Sequence, residues 1–239
     1  MNSELYSIFY RKQPSNIKQL LPEANTAKCI TFLNPYYLET IQSSNNLYKE
    51  FDYICSDGMI PILLQKLTRN NNSKRISFDM TSLAKRVFDE SSKYKYSIYF
   101  IGAKEHEIKQ FINIIQEKYP LLKIIGYHHG YVNNFDQINK TIINLNPQIT
   151  IIGMGAPKQD EFALKLKKNG YKGTIYTCGG FIHQTTNNIN YYPKWIDKLN
   201  LRTIYRLIYE PYVWKRVLKY YPPFIIKYFL FLCKIKTVK

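Results

Sequence analysis

The sequence holds no apolar run of the roughly 18 residues that a bilayer-spanning helix needs. Its longest such stretch, residues 224–233, is short and interrupted by Lys227. The opening residues, MNSELYSIFYRK, lack a basic segment followed by an apolar one, so no signal peptide is expected. Cysteine is sparse: the four, at 29, 55, 178 and 233, form no CxxC pair. That spacing argues against a metal site. Three of them sit in apolar, strand-like runs, as buried reduced thiols of a cytosolic protein do. There is no internal repeat and no long low-complexity tract. Acidic residues are scarce too, 17 against 34 Lys and Arg, which leaves a net charge of +17. Such an excess fits a polyanionic partner: nucleic acid, anionic lipid or a phosphate-bearing substrate. With 239 residues, 45% of them hydrophobic, the chain can bury one core and carry an appendage.

Short apolar, β-branched runs recur at residues 29–33, 53–55, 96–101, 123–126, 148–153 and 173–177, most of them bounded by Gly, Asn or Asp. Stretches of helical spacing lie between them. In residues 105–119, Ile108, Phe111, Ile112 and Ile115 share one face. Residues 160–168 start acidic and end basic, as the helix dipole favours. Strands alternating with helices predict parallel βαβ units, whose ligands bind at the carboxyl ends of the strands. Residues 70–73 read as a surface turn.

Composition changes near Pro193. Residues 194–239 hold eleven Lys and Arg against two acidic residues, a surplus of nine charges. They also hold eleven aromatics, among them Trp195, Trp214, Tyr220, Tyr221, Phe224 and Phe231. Cations for anionic headgroups and rings for the polar–apolar boundary are what an interfacial membrane segment carries. A solvated basic helix pair closing the domain is a second reading. A nucleic-acid face is a third, although no nucleic-acid motif accompanies the charge.

The strand ends carry the chemistry. The first run closes with Thr31-Phe-Leu-Asn34-Pro35, bringing Thr31 and Asn34 to the sheet edge. The second closes with Ser56-Asp57-Gly58, an acidic residue followed by a glycine that leaves room for close approach. A carboxylate within reach of a sugar hydroxyl can take its proton as attack begins. The same residue fits equally as a cap for the next helix. In Gly126-Tyr-His-His-Gly-Tyr131, the adjacent His128 and His129 point to opposite sides if extended. His106 and His183 add no ligand spacing, so a hydrogen-bonding loop is the better reading. In Gly153-Met-Gly155-Ala-Pro157-Lys-Gln159-Asp-Glu161, glycines at a strand-to-helix turn let backbone N–H groups approach a phosphate. Lys158 occupies the third glycine of a dinucleotide fingerprint, which weakens that reading. Gly179-Gly180-Phe181 forms another close-approach turn.

In this order the segments resemble the WecG/TagA/CpsF glycosyltransferase family from Thr31 to Arg216. The most specific piece is GMGAPKQDEF, which matches the family's G-x-G-x-P-x-Q-E run. Asn34-Pro35, SDG at 56–58, FIGAK at 100–104, GYHHGY at 126–131, PKW at 193–195 and YRLIYEP at 205–211 match in register. The resemblance implies a metal-independent, inverting enzyme. Such an enzyme moves a sugar, often of the N-acetylmannosamine type, from a UDP-sugar to an undecaprenyl-diphosphate-linked sugar, building teichoic acid, common antigen or capsule-type polysaccharide. It further implies Asp57 as catalytic base, with Thr31 and Gln159 positioning substrate beside it. Gln159 serving only as a cap is the alternative. The family's C-terminal appendage touches the membrane and supplies arginines to the site. Arg206 and Arg216 match that pattern, with Arg202 a third candidate, and their task would be to offset charge on the departing UDP. Headgroup binding alone is the alternative for these arginines.

The chain departs from the family at three places. Ile182-His183 stands where Phe-Asp is usual, Arg75-Ile-Ser-Phe-Asp79 lacks a glycine, and Glu210-Pro-Tyr-Val-Trp-Lys-Arg216 has fewer arginines. These positions bear on donor identity.

The expected architecture is therefore an α/β, Rossmann-like parallel sheet flanked by helices over residues 1–193, then a basic aromatic, membrane-associating helical appendage over 194–239. Substrate-binding residues are expected at Asn34, Gly58, Gly153, Gly155, Pro157, Gly179, Gly180, Arg206 and Arg216, with no metal and no cofactor. Expected partners are a UDP-sugar, a polyprenyl-diphosphate-linked sugar and an anionic membrane surface, with self-association implied by the family and no nucleic acid. The expected location is cytoplasmic, on the inner face of the cell membrane. The competing classes are a non-enzymatic membrane or nucleic-acid adaptor and a nicotinamide-dependent oxidoreductase.

Overall fold

The computed structural model describes residues 3–23, 26–69, 73–131, 134–189, 191–193, 195–196, 199 and 201–237. Most of the turn expected at 70–73, and the boundary residue Lys194, lie outside the described residues. Six strands form one sheet: β1 (Cys29–Leu33), β2 (Tyr53–Ser56), β3 (Ser97–Gly102), β4 (Lys123–His128), β5 (Ile149–Gly153) and β6 (Thr174–Thr177). Their order is β2-β1-β6-β5-β3-β4 and every pairing is parallel. Each strand falls on one of the six apolar runs, because a parallel sheet is covered on both faces and needs apolar side chains on both.

Alternation along the strands divides the core in two. Cys29 and Leu33 of β1, and Tyr99 and Ile101 of β3, face a cluster built with α1 (Ser3–Arg11), α2 (Pro35–Thr40), α3 (Asn45–Lys49), α7 (Phe135–Leu145) and α8 (Lys158–Lys168). Ile30 and Phe32, with Ile98 and Phe100, face a second cluster. That one is completed by α5 (Leu83–Tyr94), α6 (Glu105–Lys118) and α9 (Phe181–Asn187). The amphipathic pattern predicted for α6 holds: Ile108, Phe111 and Ile115 are buried and Ile112 partly so.

α4 (Met59–Arg69) follows β2, and the chain closes with α10 (Arg202–Tyr209) and α11 (Tyr212–Thr237). α11 does not stand apart from the core. Its Phe224, Tyr228, Phe231 and Leu232 are buried in the same cluster as Leu5, Phe9 and Leu38. Gln65 of α4 donates to the Tyr228 hydroxyl at 2.6 Å, and Lys227 pairs with Glu39 of α2 at 2.6 Å. Other apolar side chains of the last two helices face outward, including Ile204, Ile208, Trp214 and Leu218. Among the described residues no helix is long and apolar enough to cross a membrane.

Candidate active site

A cavity of about 780 Å³ opens at the carboxyl ends of the strands, roofed on one side by α10 and the start of α11. Its floor follows the sheet order. Asp57 follows β2 at one edge, the two glycine turns follow β6 and β5 in mid-sheet, and Lys104 follows β3 beyond them.

Asp57 lines the cavity. Its backbone N–H donates to the Leu33 carbonyl at 2.9 Å, which fixes the residue against the end of β1. Among the described residues its carboxylate accepts no hydrogen bond, so it does not cap α4. Desolvation raises its pKa; Arg75 opposes this most strongly, Asp79 adds to it, and Arg202 and Arg206 oppose it further. The net shift is upward, which suits a carboxylate that must accept a proton. Gly58 lines the same wall, where a Cβ would come 3.3 Å from the Pro35 ring. Asn34 also lines the cavity and caps α2, its Oδ1 accepting from Tyr37 N at 3.1 Å.

Gln159 ties the two glycine turns together. It is buried, and its Oε1 accepts from Gly155 N at 3.2 Å and from Gly179 N at 3.0 Å. Gly155 (φ +76°) and Gly179 (φ +54°) both adopt left-handed backbone, which glycine does without strain. Gly153 and Gly180 line the cavity beside them, while Pro157 precedes α8 off the cavity wall. Gln159 is therefore a cap for one turn and a brace to the other.

Thr31 lies elsewhere than the expected place beside Asp57. It is fully buried beneath the floor and absent from the cavity wall. Its hydroxyl donates to Asp160 Oδ1 at 2.6 Å and lies 2.9 Å from the Thr177 hydroxyl. Asp160 also accepts from Tyr48 at 2.9 Å. The residue that looked like a dipole-complementing helix start is thus a buried carboxyl. Burial pushes its pKa up to about 7, with Thr31 and Tyr48 lowering it and Glu161 raising it.

The arginines differ from one another. Arg206 grips Glu210 with two bonds, Nε at 2.9 Å and Nη2 at 2.8 Å, while Tyr191 donates to the same carboxylate at 2.7 Å. Arg216 lies over the Tyr36 ring, 4.6 Å from its centroid. Arg202 is buried, bonded to Asp79, Thr81 and Ser77, and stacked 4.5 Å from the Tyr192 ring. All three line the cavity. Arg75 lines it too and donates to Ser77 at 2.6 Å. The sequence shows Arg75 and Asp79 only as a motif that lacks its glycine; their retained charges are the signal. It gave no sign that His183 would meet Glu107, 2.8 Å away and 76 residues distant in sequence, on the same wall. Among the described residues no three His, Cys, Asp or Glu side chains group as metal ligands would.

Residues 4–237 match the family model described as Glycosyl transferase WecG/TagA/CpsF family. This chain belongs to that family. It is a glycosyltransferase, and the oxidoreductase and adaptor readings fall away. It is 34% identical over 219 residues to a UDP-Gal:alpha-D-GlcNAc-diphosphoundecaprenol beta-1,4-galactosyltransferase of Shigella boydii, covering 91% of this chain and 92% of that protein. It is 32% identical over 183 residues to an N-acetylglucosaminyldiphosphoundecaprenol N-acetyl-beta-D-mannosaminyltransferase of Bacillus subtilis (strain 168), covering 76% and 68%. A Staphylococcus aureus (strain NCTC 8325 / PS 47) protein of the same description is 27% identical over 236 residues, covering 94% and 89%.

Proposed function

We propose that this glycosyltransferase moves a hexose from a UDP-sugar to N-acetylglucosamine held on undecaprenyl diphosphate, with inversion and without a metal, using Asp57 as base. The observation that carries this reading is the Asp57 carboxylate. Among the described residues it accepts no hydrogen bond, it has a raised pKa, and it lines the same cavity as the glycine turns. The mid-sheet turns offer backbone N–H groups to the diphosphate. The sugar then extends toward Asp57 and the nucleoside toward Lys104.

In the proposed step, Asp57 takes the proton of the acceptor hydroxyl as its oxygen bonds to the anomeric carbon. The bond from that carbon to the diphosphate oxygen breaks, and UDP leaves with the electron pair. Arg206 and Arg216 stand on the cavity wall to offset the charge that develops on UDP. Arg206 would exchange its bond to Glu210 for the ligand.

A galactose-type donor is favoured by the galactosyltransferase relative, which matches over nearly the full length of both chains. An N-acetylmannosamine-type donor is the second reading, favoured by the Bacillus and Staphylococcus relatives. Acting on such a lipid, the enzyme would work at the inner face of the membrane. The outward apolar residues of α10 and α11, set among the tail's basic residues, would meet an anionic surface there, with self-association a further proposal. Residues 1–193 would form the catalytic core, and 194–239 a roof that α11 roots in that core. The test is UDP release across a panel of UDP-sugars with a short-chain lipid-diphosphate N-acetylglucosamine acceptor. Turnover with one hexose donor supports the reading, and release with none of them rejects it.

A further inference from the structure

The buried carboxyl of Asp160 has no assigned part in the reaction, and its position is costly. A carboxylate deep in an apolar cluster loses its hydration, and replacing it by an apolar side chain would often be neutral or stabilising. Asp160 is fully buried, and among the described residues its hydrogen-bond donors are two hydroxyls, Thr31 at 2.6 Å and Tyr48 at 2.9 Å, and no cation bonds to it. These donors come from β1 and α3, and Thr31 in turn contacts Thr177 at the end of β6. One carboxyl therefore fastens the first turn of α8 to two central strands and a helix.

The next residue back is the brace between the glycine turns. Gln159 N donates to the Gly155 carbonyl at 2.9 Å, and its Oε1 holds Gly155 N and Gly179 N. With the oxygen doubly used, the Gln159 side chain lines the cavity between the two turns. A helix turn free to rotate or fray by half an ångström would carry that oxygen away from one glycine or the other, since such bonds weaken quickly with distance and angle.

We propose that Asp160, held by Thr31 and Tyr48, is a positioning residue: it fixes the first turn of α8 so that Gln159 holds both glycine turns in register for a nucleoside diphosphate. This rests on the proposed UDP-sugar reading of the cavity. Thr31 then acts through Asp160 and Gln159 and does not itself touch substrate. Second-layer groups that orient a binding group typically change affinity by a measurable factor without contacting the ligand.

The experiment is a double-mutant cycle read as UDP affinity by calorimetry on the full chain, with Thr31→Val and Gln159→Ala made singly and together. Thr31→Val keeps the volume and removes the hydroxyl. Alone, it is expected to weaken UDP binding about tenfold. In the Gln159→Ala background, the same change is expected to shift affinity less than about twofold, because the brace it supports is gone. Thr31→Ser restores the hydroxyl and is expected to bind UDP within about threefold of the starting protein. Equal losses in both backgrounds would mean that Thr31 and Asp160 only support the fold, and the proposal would be rejected. An unchanged affinity in Thr31→Val alone rejects it too. If Thr31→Val does not fold, Tyr48→Phe, which removes the other donor, runs the same cycle with the same criteria. A starting protein that binds no UDP would overturn the reading of the cavity itself, an outcome distinct from additive losses in a protein that does bind it.

Discussion

Arg202 and Asp79 form a largely buried ion pair that fastens the roof of the cavity to its wall. Arg202 belongs to α10 and Asp79 to the loop between α4 and α5, and the Tyr192 ring stacks against the guanidinium. Burial pushes the Asp79 carboxyl up, but the Arg202 charge and the bonds from Arg202, Thr81 and Ser77 outweigh it and hold the pKa below its usual value.

Arg202→Ala leaves the Asp79 charge buried and unmatched, and is expected to lower unfolding free energy by about 3 kcal/mol in urea at pH 7. Because the folded pKa of Asp79 is depressed, its contribution is fully present above the ordinary carboxyl range. It is lost as the pH falls through the folded value. The gap between the variant and the original protein should therefore narrow in acid. A gap that stayed constant would show that the pair is not the source of the difference.

Asp57 should behave in the opposite sense. Its folded pKa is raised, so its ionised form weakens the fold. The stability cost appears as the pH rises from the ordinary carboxyl range through the folded value. Asp57→Asn removes that cost and is expected to stabilise the protein at pH 7.5, seen as a higher melting temperature. Asp160, at about 7, adds a slope of the same sign. A lower melting temperature in Asp57→Asn would contradict the placing of this carboxylate in a desolvated cavity.

The inner strands were legible because they are buried on both faces and so read as apolar runs, while β4, at the sheet edge, is only partly buried. Cys29 to Leu33 is the clearest case, with every residue buried. The edge that carries the cavity was legible because glycines and polar residues gather where those runs end. The strand order was not, since nothing in a run says which neighbour it takes. Nor was the place of Thr31: its partner Asp160 lies 129 residues away in sequence. In α11 a single helix carries both kinds of face. Phe224 and Tyr228 enter the core while Trp214 and Leu218 face outward, and composition averages the two.

The inward face of α11 leads to a measurable expectation. Phe224 is fully buried, with its ring 5.2 Å from that of Tyr228 and 5.9 Å from that of Tyr6. Phe224→Ala should cost about 3–5 kcal/mol in urea denaturation. A cost below about 1 kcal/mol, the range of exposed substitutions, would show that α11 is not rooted in the core.

The outward face leads to another. Ile208→Glu with Leu218→Glu should weaken co-sedimentation with anionic vesicles at least tenfold, since each change removes roughly 1.5–3 kcal/mol of apolar burial and adds a repelled charge. UDP affinity measured without vesicles should not change. Undiminished vesicle binding would remove this face from the membrane contact.

The most direct measurement is UDP release with the preferred UDP-sugar and a lipid-diphosphate N-acetylglucosamine acceptor, comparing Asp57→Asn with the original protein under saturating substrates. The expected result is a fall in kcat of at least about a hundredfold, with UDP affinity nearly unchanged and the variant fully folded. Turnover within a few-fold of the original enzyme would contradict Asp57 as the group that takes the acceptor's proton.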